Sequence, residues 1–161
     1  MTYVEIDSED WRFQTRVAAV CVWQDHLLLQ RALDGAFWVL PGGRLQPLEL
    51  TADALLRTMR WEIAQKVTVQ RLLWVMEYVT RIAGRAVHEL GFYYAADLPA
   101  DSPFLDLTRD HAGVERGHDL LLRWFRIGDL PDLAIFPVFL RTAVAHMPDS
   151  PQHIVQVDIA E

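Results

Sequence analysis

A mixed α/β domain with helices packed on a sheet is predicted. Three observations carry this. Short runs rich in β-branched and small apolar residues alternate with turn signals, one long segment between them repeats at helical spacing, and Gly and Pro punctuate the joins. At 161 residues the chain fits one domain, 1–161, with its core at about 15–147 and peripheral ends. Neither repeats nor an obvious linker divide it.

The elements follow in order. Thr15-Arg-Val-Ala-Ala-Val-Cys-Val-Trp23 reads as a buried strand, Gln24-Asp25-His26 as a turn, and Leu27–Arg31 as the returning strand. Trp38-Val39-Leu40 is a short apolar run stopped by the loop Pro41-Gly42-Gly43. From Thr51 to Lys66, Ala52, Leu55, Leu56, Met59 and Ile63 recur at helical spacing, with Thr51 as the expected N-cap. Residues 67–82 and 85–97 form a hairpin turning at Ala83-Gly84, and 99–118 read as a surface loop. Leu120–Ile127 is a strand, Pro137–His146 a short helix and Ile154–Val157 a last strand.

Composition narrows the function classes. Apolar residues make up 52% and charged residues 23%, the balance of a folded globular chain. A net charge of −7 argues against non-specific nucleic-acid or anionic-membrane binding. No apolar run approaches the roughly 18 residues of a spanning helix. The acidic start Met1-Thr-Tyr-Val-Glu-Ile-Asp7 lacks a basic-then-apolar leader, and the lone Cys21 makes no internal disulfide, so a cytoplasmic location is expected. Of 15 basic residues only Lys66 is not arginine. Arginine's fixed fork of donors suits phosphate, although a GC-rich genome gives the same bias. No His-Glu-x-x-His, Gly-x-Ser-x-Gly or Gly-x-x-x-x-Gly-Lys pattern occurs.

The chemistry concentrates in residues 42–65. A glycine loop lets backbone approach a ligand closely. Glu49 lies ahead of the helix, Glu62 near its end, and Arg57 projects between them. Carboxylates at a loop–helix junction are the hard oxygen ligands that Mg²⁺ takes along with waters and phosphates. Two glutamates near a surface helix are also ordinary solvated charges, so the spacing alone leaves both readings open.

The stretch resembles the Nudix box, Gly-x5-Glu-x7-Arg-Glu-hydrophobic-x-Glu-Glu-x-Gly-hydrophobic, with matches at Gly43, Glu49, Arg57, Met59 and Glu62. Flanking features are similar too: Trp38-Val-Leu-Pro-Gly-Gly43, Pro47, Ala54, and downstream Arg123-Trp-Phe125 with Gly128-Asp-Leu-Pro131. The chain is thereby identified as a member of the Nudix hydrolase superfamily. That resemblance implies an α/β/α sandwich with a mixed, curved sheet between helices, and Mg²⁺- or Mn²⁺-dependent hydrolysis of a nucleoside diphosphate linked to another group. It implies Glu62, Glu49, Arg57 and Glu115 as catalytic candidates, Gly42, Gly43 and Arg44 at the substrate, and Glu62, Glu49 and Glu89 as metal ligands. A small nucleotide-type partner and a homodimer are further expectations.

The departures set the terms of the problem. Thr58 and Trp61 stand where the box has glutamates, Ala64 where it has glycine, and Gln65 where it has a hydrophobic residue. Positions 58, 61 and 62 share one helix face. Trp61 offers no acceptor and Thr58 only a neutral hydroxyl, and Trp61 is expected to lay its ring over the metal face. Slow hydrolysis with a carboxylate recruited from outside the box, from Glu89, Glu77, Glu115 or Asp119, is one reading. A nucleotide or sugar-nucleotide binding module without catalysis is the other.

Overall fold

The computed structural model describes residues 1–159. In chain order the strands are β1 (Glu5–Asp7), β2 (Trp11–Val20), β3 (Val22–Trp23), β4 (His26–Ala32) and β5 (Gly42–Gly43). Helix α1 (Thr51–Ile63) follows, then β6 (Thr68–Ile82), β7 (Arg85–Asp97), β8 (His111–Glu115) and β9 (His118–Arg126). A short helix α2 (Leu140–Ala143) and β10 (Gln152–Asp158) close the described chain. One sheet is mixed, in the order β1-β2-β7-β6-β10 with β5 on β2; β2 runs parallel to β7 and β10 parallel to β6. The other is antiparallel, β3-β4-β9-β8.

The two sheets are one run of chain that switches partners. β2 ends at Val20, Cys21 intervenes, and β3 starts the second sheet, so the strand read as continuous through Trp23 changes sheet at Cys21. Period-2 alternation then splits the core. Val17, Ala19 and Cys21 pack with Leu55, Met59 and Ile63 of α1, while Ala18 and Val20 pack with Trp38, Trp74, Tyr93 and Leu140 on the α2 side. This mixed α/β architecture, helices on both sides of sheet, is the expected one.

Local chemistry explains the joins. Gln24 and Asp25 take φ of 45° and 63°, and Ala83 and Gly84 φ of 50° and 81°, the left-handed pairs of tight hairpin turns. Four expectations change. Thr51 is not the N-cap: Leu50 is, without a side-chain cap, and the Thr51 hydroxyl instead meets the Tyr94 hydroxyl at 2.5 Å. The helix stops at Ile63 rather than Lys66, because Ala64 turns left-handed (φ 55°). Gly42 and Gly43 are no open loop but a buried strand paired with Ala18 and Val17. A Cβ on Gly42 would lie 2.0 Å from the Val17 carbonyl oxygen.

The fourth change matters most for function. Residues 99–118, expected as loop, contain a 3-10 turn at Pro103–Leu105 and strand β8, which hairpins into β9 through Arg116 and Gly117 at φ of 50° and 81°. Gly113 carries β8 against the end of α1, where a Cβ would fall 2.8 Å from both the Glu62 carbonyl oxygen and Ile63 Cγ2. Bare backbone is what fits there.

Candidate active site

The N-terminal half of the 42–65 segment is clamped. Arg57 donates to Glu49 twice, Nε to Oε1 at 2.7 Å and Nη2 to Oε2 at 2.9 Å, and Nη2 also reaches the Arg44 carbonyl at 2.8 Å. The Gln46 amide donates to Glu49 Oε2 at 2.9 Å. Both side chains are 15% exposed. The Arg57 guanidinium, with the Gln46 amide, holds the Glu49 carboxyl below its usual range, and Arg57 is raised in return. Both oxygens of Glu49 are thus engaged in tying the loop to the helix. Arg44 donates to Glu5 at 2.7 Å.

The C-terminal half is different. Thr58 is 2% exposed and packs under Gly43, where a Cβ would sit 2.8 Å from the Thr58 hydroxyl oxygen. Trp61 does not form the expected cover: 58% of it is exposed, and the Arg57 guanidinium lies 5.4 Å from its ring. Ala64 occupies the left-handed position that glycine suits. Gln65 is buried but satisfied, accepting from the Ser102 hydroxyl at 2.5 Å and donating to the Ile63 carbonyl at 3.3 Å.

Glu62 is the helix carboxylate that remains. Burial, followed by the neighbouring charge of Glu115, pushes its carboxyl up to about 8, against smaller opposing effects of Arg16, Arg57 and Arg116. β8, in the segment expected to be loop, lies against this end of α1 at Gly113 and carries the charge of Glu115 within electrostatic reach of Glu62. Beside them an open cleft of about 620 Å³ is walled by Trp61, Glu62, Leu33, His111, Val114 and Asp119.

The other candidates lie apart. Glu89 accepts from Gln14 Nε2 at 2.6 Å and points, with Arg16, Tyr78, Tyr93 and Phe136, into an apolar hollow of about 160 Å³ on the α2 side. Glu77 is exposed and meets His153 at 3.2 Å. Among the described residues, no group of three or more His, Cys, Asp or Glu side chains is spaced to hold a metal ion. Arg16 and Arg116 are the residues that sequence reasoning passed over. Arg16 was signalled by a charge opening an otherwise apolar strand. Arg116 belongs to an X-Gly pair between two strands, a weak turn signal without Asn or Asp.

This arrangement defines a mixed α/β domain with a loop–helix site at the sheet edge. The model of the NUDIX domain family matches residues 12–145, and the chain belongs to that family. No curated protein gives a significant match. Among solved structures, the chain is similar to a mutator MutT protein from Bacillus halodurans, with TM-score 0.59 and 18% identity over 89% of each chain. It is similar also to a NUDIX hydrolase from Nitrosomonas europaea, at TM-score 0.58 and 19% identity over 90% of this chain and 79% of that one. A third likeness is to an ADP-ribose pyrophosphatase from Streptococcus suis, at 0.55 and 16% over 89% and 98%. At these identities the likeness is one of fold.

Proposed function

We propose that this chain is a slow divalent-metal-dependent hydrolase of a nucleoside diphosphate linked to another group, with Glu62 and Glu115 as its working carboxylates. The observation that carries the reading is the seating of β8 against the end of α1 at Gly113, which leaves Glu62 partly buried beside an open cleft. Its carboxyl is raised first by that burial and next by the charge of Glu115. Two carboxylates whose charges oppose each other at a partly buried site are stabilised by a cation. Mg²⁺ is often held by one or two carboxylates, with waters and substrate phosphates completing its shell, so the pair fits Mg²⁺ or Mn²⁺. When bound, the ion supplies charge neutralisation and a more acidic water.

The chain's own residues divide the remaining work. Arg57 and Glu49 hold the loop and helix together. Glu62 or Glu115, once ionised, accepts the proton of the attacking water. Asp119, on the cleft wall, is a further oxygen within the same hollow. Glu89 serves the apolar hollow on the other core face rather than the Glu62 cleft.

A second reading, a nucleotide-binding module without catalysis, draws on Thr58, which is buried under Gly43 and offers the cleft no ligand. The deciding assay is product release from ADP-ribose and nucleoside diphosphate sugars with Mg²⁺ or Mn²⁺. Turnover that falls about 10²–10⁴-fold in both Glu62→Gln and Glu115→Gln supports the hydrolase. Trp61→Glu, at an exposed position, is expected to raise turnover by restoring a carboxylate. Silence of the wild type beside an active Trp61→Glu favours the binding module.

A further inference from the structure

Alternation along the strands gives the mixed sheet two faces, and they are covered unequally. One carries Met76, Tyr78 and Tyr93 into the core beside α2. The other packs under α1 only at one end, over Val17, Ala19 and Phe92. Beyond that end apolar side chains stand open: Val155 and Val157 are each 62% exposed, and Trp11 45%. Phe13, Leu90 and Val79, half-buried, continue the patch on the same face. Contiguous exposed apolar surface of this kind marks an interaction site.

The register shows which partner fits. Ile6, Phe13, His88, Val79 and Val157 form one row across five strands, each paired with the next. Along β6, Glu77 and Arg81 stand two residues to either side of Val79 on this face. Along β7, Leu90 and Ala86, one large and one small, flank His88 in the same way. A two-fold axis along the row lays each strand antiparallel on its own copy, in two aligned sheets roughly 10 Å apart. It sets Glu77 of each copy against Arg81 of the other, and Leu90 of each over Ala86 of the other. Glu77 meets only the exposed His153, and Arg81 donates to the Gly84 carbonyl at 2.8 Å, so both keep atoms free for a partner. A chain of net charge −7 repels its own copies in general. A face whose charges balance about its own axis is where two copies meet with least repulsion.

We propose that the chain forms a two-fold homodimer through this sheet face, with β6 antiparallel on β6 about Val79. The inference holds whether or not the Glu62 site turns substrate over.

The test is sedimentation equilibrium of the full chain over a wide range of concentration. The mass of two chains is expected for the unaltered protein. Glu77→Arg is expected to raise the dissociation constant about tenfold, because it sets like charges together twice, and Arg81→Glu does the same. Joining Glu77→Arg with Arg81→Glu reverses both pairs and is expected to restore the dimer. Val155→Lys with Val157→Lys, at open positions, is expected to leave single chains. Circular dichroism checks that each variant folds, and the charge swap decides the matter if the lysine pair unfolds. A single-chain mass for the unaltered protein overturns the inference. So does a dimer that neither the charge reversals nor the lysine pair weakens. A dimer that one reversal weakens and the joint reversal fails to restore overturns the two-fold register about Val79.

Discussion

The two halves of the 42–65 segment are built to different ends. Residues 42–57 are mechanically complete: glycines where backbone meets backbone, and a two-pronged Arg57–Glu49 pair joining loop to helix. Residues 58–65 keep one carboxylate, Glu62, and fill the neighbouring positions with a buried threonine, an exposed tryptophan and a left-handed alanine. The difference teaches that the architecture of such a site and its charge are separable. Loop geometry depends on glycines and on one ion pair, and it survives when the helix face changes from acidic to nearly neutral.

Removing the clamp has the largest expected effect. Arg57→Ala leaves Glu49, 15% exposed, without its partner, and a loss of about 3 kcal/mol is expected from chemical denaturation. A loss under 1 kcal/mol would mean that the first half is not held as described. Next is Gly113→Ala, which forces β8 from the end of α1 against backbone at 2.8 Å; about 2 kcal/mol is expected, together with a fall of the Glu62 carboxyl toward its ordinary value as Glu115 retreats. Titration of Glu62 by carbonyl-carbon NMR reads that second effect directly.

Glu62 itself makes stability depend on pH. Its carboxyl is raised, so the native state holds the proton more tightly than the unfolded chain does, and stability falls as pH rises from the ordinary carboxylate range to about 8. Glu62→Gln removes that slope and is expected to be the more stable protein above pH 8, by on the order of 1 kcal/mol after allowance for solvent screening. Equal pH profiles of the two proteins would contradict the burial of Glu62 and the influence of the Glu115 charge on it. The smallest effect is Ala64→Gly at the left-handed helix end: a gain of roughly 0.5–1 kcal/mol in thermal unfolding is expected, because glycine carries no Cβ penalty there.

Much of this was legible in the chain. The period-3.6 run over Leu55, Met59 and Ile63 specified α1 and its buried face, and β-branched runs broken at Ala83-Gly84 specified the long hairpin. The pairing of Arg57 with Glu49, eight residues apart and on different elements, was not read from the chain; the turn of the loop onto the helix makes it. Strand β8 was hidden by its composition. His111-Ala-Gly-Val-Glu115 has neither the apolar run nor the β-branched density of a strand, and its partner β9 supplies the order. Thr51 satisfies a capping pattern, but its hydroxyl finds Tyr94 across the core instead.

The sequence by itself determined the α/β class, the helix that carries Glu62, and the absence of carboxylates at 58 and 61, since these rest on local periodicity and residue identity. Only the tertiary structure decided what surrounds Glu62. The charges that act on it come from Glu115 on β8, Arg16 on β2 and Arg116 in a hairpin turn, and no spacing along the chain relates them. A carboxyl's proton affinity depends on burial and on neighbouring charges, quantities that exist only once the sheets have closed.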